Sequence, residues 1–123
     1  GAAKAIGKVM PHLNGKLNGQ AIRVPTPNVS MVDLTVTLNK NVSLEDVQAA
    51  FTQASEGKLK GILGVDTEGR VSSDFNGEEL STVVPLDTIQ VIGDNMVKVL
   101  SWYDNEWGYS CRLVDMGVHV ATK

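Results

Sequence analysis

The stretch VSMVDLTVTLNKNVSLEDVQAAFTQASEG, residues 29–57, shows the two periodicities of a mixed fold in succession. Over 29–38, Val32, Leu34, Val36 and Leu38 alternate with Asp33, Thr35 and Thr37. That two-residue period predicts a half-buried strand with one polar face. The period then changes. Leu44, Val47, Ala50, Phe51 and Ala54 recur at helical spacing and form one apolar stripe. Ser43 suits the N-cap, and Glu45 and Asp46 put negative charge where the helix dipole favours it. Gly57 suits the C-cap.

On the N-terminal side, Ala2, Ile6, Val9 and His12 or Leu13 predict a short helix that Pro11 stops. Glycines and asparagines make 14–19 a turn-rich connection. Residues 21–24 read as an edge or irregular strand, because Pro25 and Pro27 donate nothing to a ladder. On the C-terminal side, strands are expected at 62–65, 71–75, 83–92 and 96–103, separated by Glu68-Gly69, Asn76-Gly77 and Gly93-Asp94-Asn95. Asn76-Gly77 suits a tight hairpin. Pro85 argues for an edge or a bulge. A last helix from about residue 106 carries Trp107, Cys111, Val114, Val118 and Ala121 on one stripe, with Asp104 or Asn105 as cap. Strands joined by short turns pair antiparallel. The expected fold is α+β: a largely antiparallel mixed sheet with helices packed on one face.

The 123 residues suit one domain. The net charge of −3 is spread over both signs, and no basic block suggests a nucleic-acid or anionic membrane partner. No apolar run is long enough for a bilayer. The single cysteine permits no internal disulfide, and no signal-peptide pattern is present, which points to the cytoplasm. Neither CxxC nor HExxH occurs, so no metal site is expected. The abrupt helical opening at Gly1 reads as a piece of a longer chain.

Few residues invite chemistry. Gly1 precedes a helix whose free N–H groups and dipole could face a phosphate, though helix starts use Gly for purely local reasons. Arg23 offers a guanidinium fork for carboxylate or phosphate, or is a surface Arg on a polar face. Trp102, Tyr103, Asp104, Asn105, Glu106 and Trp107 gather at a strand-to-helix junction. An Asn amide there can pair with another carboxamide; Asp104 and Asn105 could equally serve only as caps. Cys111 has no motif tying it to His12 or His119, and its place on the apolar stripe favours a buried structural thiol.

Seven motifs, running in order along the whole chain, resemble the glyceraldehyde-3-phosphate dehydrogenase family. They are Gly1-Ala-Ala-Lys-Ala-Ile-Gly-Lys-Val, Arg23-Val-Pro-Thr-Pro-Asn-Val-Ser, Val32-Asp-Leu-Thr, Gln53-Ala-Ser-Glu-Gly, Leu59-Lys-Gly-Ile-Leu-Gly, Val71-Ser-Ser-Asp-Phe and Ser101-Trp-Tyr-Asp-Asn-Glu-Trp-Gly-Tyr-Ser. The resemblance implies residues 1–123 as part of a catalytic, substrate-binding domain of a two-domain, usually tetrameric enzyme. That enzyme oxidises and phosphorylates glyceraldehyde 3-phosphate with NAD or NADP and inorganic phosphate. A cysteine attacks the aldehyde, hydride passes to the cofactor, and phosphate cleaves the thioester. By the same resemblance Arg23 holds a substrate phosphate, Gly1 belongs to another phosphate site, Asn105 binds the nicotinamide carboxamide and Tyr109 lies close to the nicotinamide.

The departures matter too. No GxGxxG and no Ser-Cys-Thr-Thr-Asn nucleophile motif occurs in the sequence, and the family's catalytic histidine has no counterpart. The dinucleotide-binding domain is therefore expected to be absent, no residue here is assigned a catalytic role, and the chain by itself is expected to be inactive. Leu80-Ser81-Thr82 and Pro85 replace a family pattern of His-Ser-Ser and Asp, and Cys111 stands where the family commonly has Asn. A second reading is a non-catalytic binding or oligomerisation module that uses faces left apolar on this chain.

Overall fold

The computed structural model describes residues 2–123. Helix α1 spans Ala2–Val9 and gives way to a 3-10 turn at Pro11–Leu13. Strand β1 spans Ser30–Thr37, and helix α2 spans Leu44–Glu56. Strands β2 (Leu63–Asp66), β3 (Thr82–Pro85), β4 (Gln90–Ile92) and β5 (Met96–Tyr103) follow, and helix α3 (Trp107–Ala121) closes the chain.

The strands form one five-stranded sheet in the order β1-β5-β3-β2, with β4 also on β5. Every pairing is antiparallel except β2 with β3. The fold is thus α+β with a mixed, mostly antiparallel sheet. Strand β5 organises it: β1 runs along its whole length, β4 pairs with its first half, and Val83 of β3 pairs with Trp102 near its end.

Alternation along the strands makes two faces. On one, Val84, Val97 and Val99 meet Val47 of α2 and Ile89, with Phe51 packed against them. On the other, Val83 meets Val29 and Phe75, with Trp102 and Leu80 alongside. The Phe75 and Trp102 rings stack at 6.0 Å between centroids. Helix α2 starts as its sequence requires. Ser43 Oγ accepts from Asp46 N, and Asp46 Oδ2 accepts from Ser43 N. Gly57 ends it, its N–H donating to Gln53 O.

Several local expectations give way to this geometry. Residues 21–24 form no strand, since two nearby prolines and the absence of a partner leave nothing to pair with. The expected strand at 71–75 is a 3-10 turn, Ser72–Phe75, which drops Phe75 into the core. Asn76-Gly77 therefore closes that turn and makes no hairpin. The 83–92 stretch is two strands, broken after Pro85 by a 3-10 turn at Leu86–Thr88. The intervening excursion carries the chain back so that β3 lies parallel to β2, an arrangement that short turns alone forbid. Gly93, at φ 61°, does form the expected β4–β5 hairpin.

Two burial expectations also fail. Val32 and Leu34 on the apolar face of β1 stay substantially exposed, because α2 reaches only as far as Val36 and Leu38. The α3 stripe is not buried either: Val114 is 67% and Val118 59% exposed, and Cys111 is only partly covered.

Candidate functional site

The sequence-predicted residues divide into three. Gly1 lies outside the described residues. Arg23 is exposed, on a segment without regular structure that leads to β1, and among the described residues no hydrogen bond or ion pair engages its guanidinium. Asn105 lies at the β5–α3 junction and Tyr109 in the first turn of α3, both exposed, Tyr109 at 69%.

The junction is built around Asp104, which is 2% exposed. Its Oδ1 accepts from Glu106 N and Trp107 N, each at 2.9 Å. Its Oδ2 accepts from Gly77 N and from Asn28 Nδ2, each also at 2.9 Å. One carboxylate thus caps α3 and ties it to the turn after Phe75 and to the approach to β1. These donors, Trp107 N–H foremost, hold the Asp104 carboxyl below its ordinary value despite the opposing effect of burial. Neither of the two residues that the sequence offered is the N-cap itself, which is Glu106 and makes no side-chain cap bond; Asp104, just before it, is the one that accepts the free N–H groups at the helix start.

Asn105 projects one residue further. Its Oδ1 accepts from Ser30 Oγ at 3.2 Å, which leaves the amide Nδ2 as a donor. Asn28, Ser30 and Gly77 were not singled out from the sequence. Asn28 and Ser30 stand inside the Arg23-Val-Pro-Thr-Pro-Asn-Val-Ser motif, but their partners are 76 and 75 residues away. No local spacing reveals such contacts.

A depression of about 360 Å³ opens beside the junction, lined by Asp74, Asn76, Gly77, Glu78, Glu79 and Leu80. Its three carboxylates repel an anion, so it does not suit phosphate. Arg23, by contrast, presents a cationic guanidinium that is both exposed and unpaired among the described residues. Asp66, also buried, is engaged by Arg70 Nε at 2.7 Å and by the Gly69 and Arg70 N–H groups. Burial pushes its carboxyl up, and these bonds outweigh that and leave it lowered. The Arg70 guanidinium lies over the Phe75 ring at 4.7 Å, so this pair belongs to the core rather than to a ligand site. Among the described residues no cluster of His, Cys, Asp and Glu could hold a metal ion.

Comparison with known proteins agrees with the motifs. The model of the glyceraldehyde 3-phosphate dehydrogenase C-terminal domain matches residues 1–105. The cytosolic glyceraldehyde-3-phosphate dehydrogenase of Ginkgo biloba is 56% identical over 122 residues, covering 99% of this chain and 36% of that protein. Glyceraldehyde-3-phosphate dehydrogenase 1 of Bacillus cereus is 56% identical over 123 residues, covering 100% of this chain and 37% of that protein. The enzyme of Geobacillus stearothermophilus is 54% identical over the same span. The chain therefore spans little more than a third of the length of the curated relatives it matches.

Proposed function

The chain belongs to the glyceraldehyde-3-phosphate dehydrogenase family, and on that premise we propose that it supplies the substrate-phosphate and nicotinamide-facing groups of a phosphorylating, NAD- or NADP-dependent dehydrogenase of glycolysis. Arg23 receives a phosphate of glyceraldehyde 3-phosphate or inorganic phosphate, and Gly1 contributes to a second phosphate site. Asn105 takes the nicotinamide carboxamide, with Tyr109 beside the ring. The observation that carries this reading is the β5–α3 junction, where a buried carboxylate fixes the backbone and leaves the Asn105 Nδ2 free to donate.

The residues present fit one end of a dinucleotide. An amide donor suits a carboxamide, whereas no glycine-rich phosphate loop occurs in the sequence for the pyrophosphate. When bound, the nicotinamide accepts hydride from the substrate. The chain's own residues hold and orient; they include no recognisable nucleophile with its base, and Cys111 lacks any partner motif. In this reading residues 1–123 are part of a catalytic domain that works with a dinucleotide-binding domain, within a homotetramer. The plant relatives carry "cytosolic" in their names, and we extend that location to this chain. No helix among the described residues is long and apolar enough to cross a membrane.

The test is calorimetric titration with inorganic phosphate. Arg23→Ala should weaken binding at least about tenfold, as expected for the loss of a charge-assisted hydrogen bond, and Arg23→Lys should recover only part of it. Equal affinity in Arg23→Ala would remove Arg23 from the site. A second reading, an oligomerisation module without ligand affinity, is favoured by the exposed apolar face of α3.

A further inference from the structure

A free Asn side chain can turn either its oxygen or its nitrogen toward a ligand. Asn105 is exposed, and the hydrogen bond from Ser30 is what engages its side chain among the described residues. The backbone on either side is already fixed, since Asp104 anchors the N–H groups of Glu106 and Trp107. Ser30 is fixed as well: it is half-buried, sits opposite Tyr103 in the β1–β5 ladder, and starts β1.

The residue before Ser30 is unusual. Val29 is buried, with φ at 69°, in the left-handed region that a β-branched side chain avoids. Such a conformation persists only where its surroundings over-determine it, and it is found preferentially at functional sites. Here the residues on its two sides reach across the same junction. Asn28 Nδ2 donates to Asp104, and Ser30 Oγ donates to Asn105. Val29 thus stands between two donors that bond two successive residues of the opposite segment.

We propose that Ser30 is a positioning residue whose hydroxyl, bonded to Asn105 Oδ1, holds that amide with Nδ2 turned outward as the donor to a carboxamide oxygen. The inference rests on the reading of Asn105 as the nicotinamide contact and names the residue that gives it its polarity. With Oδ1 turned inward onto Ser30, the site presents the Nδ2 donor outward and favours a ligand that offers an acceptor. It also spares the ligand the cost of ordering the Asn105 side chain on binding.

The test uses the whole chain, isotopically labelled, with free nicotinamide as probe. Two quantities are read by NMR: the order parameter of the Asn105 side-chain NH2 group, and the shift of its resonances on titration. Ser30→Ala should lower the order parameter toward the flexible range, below about 0.6, and weaken nicotinamide binding about fivefold. Ser30→Thr, which keeps the hydroxyl, should restore both, whereas a residue that merely fills space would leave the Asn105 amide unmoved. An unchanged order parameter in Ser30→Ala overturns the inference. So does an unchanged nicotinamide titration in Ser30→Ala when Asn105→Ala has lost it; in that case the Asn105 reading survives. If Asn105→Ala titrates like the unaltered chain, or the unaltered chain gives no shift, the Asn105 reading fails and the inference falls with it.

Discussion

Asp104 concentrates four hydrogen bonds on a carboxylate withdrawn from water. Its folded pKa lies below the ordinary 3.8, so it contributes stability that is present above the unfolded value and is lost as pH falls through the folded one. Asp66 is shifted in the same direction. The chain should therefore hold its stability from neutral pH down to about 5 and lose it below about 4. Asp104→Asn should cost about 1–3 kcal/mol at neutral pH and flatten the acid slope. Urea unfolding midpoints at several pH values check this; an acid slope as steep as that of the unaltered chain would remove Asp104 from the account. At this scale the sequence was half legible. Arg23, Asn105 and Tyr109 could be named from motifs, and Asp104 as one of two possible caps. Asn28 and Ser30 could not, because what distinguishes them is a hydrogen bond to a residue far along the chain.

Helix α3 shows how two identical residues in one element carry opposite consequences. A Cβ on Gly108 would stand 3.0 Å from the backbone oxygen of Leu80, whereas one on Gly117 would meet nothing within 4 Å. Alanine gains about 1 kcal/mol over glycine in a helix interior. At Gly117 that gain should appear in full as stabilisation. At Gly108 a contact with backbone, which cannot swing aside, opposes it, and Gly108→Ala should destabilise by about 1–3 kcal/mol. Chemical denaturation of the two variants decides; equal shifts would mean that the start of α3 does not press on residues 78–80. Elements were legible where local signals and tertiary demands coincide, as in β1 and in α2 with its capping box. They were not legible where packing overrides propensity. Phe75 reaches the core from a 3-10 turn although 71–75 reads as strand; Pro85, read as an edge or a bulge, instead ends β3 and splits 83–92 in two.

Across the whole molecule, the two packed faces of the sheet contrast with an α3 whose apolar side chains meet water. Leu113, Val114, Met116, Val118 and Val120 are all exposed, as are Val32 and Leu34 of β1. Exposed apolar side chains in this number on one element mark an interaction surface. The chain should therefore self-associate as its concentration rises, and the pair Val114→Asp and Val118→Asp should return it toward the monomer in sedimentation velocity. A strictly monomeric unaltered chain would contradict that expectation. The ligand-holding role is a separate matter and rests on Arg23 and the β5–α3 junction together. It is tested most directly by titrating the chain with glyceraldehyde 3-phosphate while backbone and side-chain resonances are followed residue by residue. The account predicts saturable shifts centred on Arg23 and its neighbours that vanish in Arg23→Ala while the rest of the spectrum is preserved; the same shifts in Arg23→Ala, or none in the unaltered chain, would contradict it.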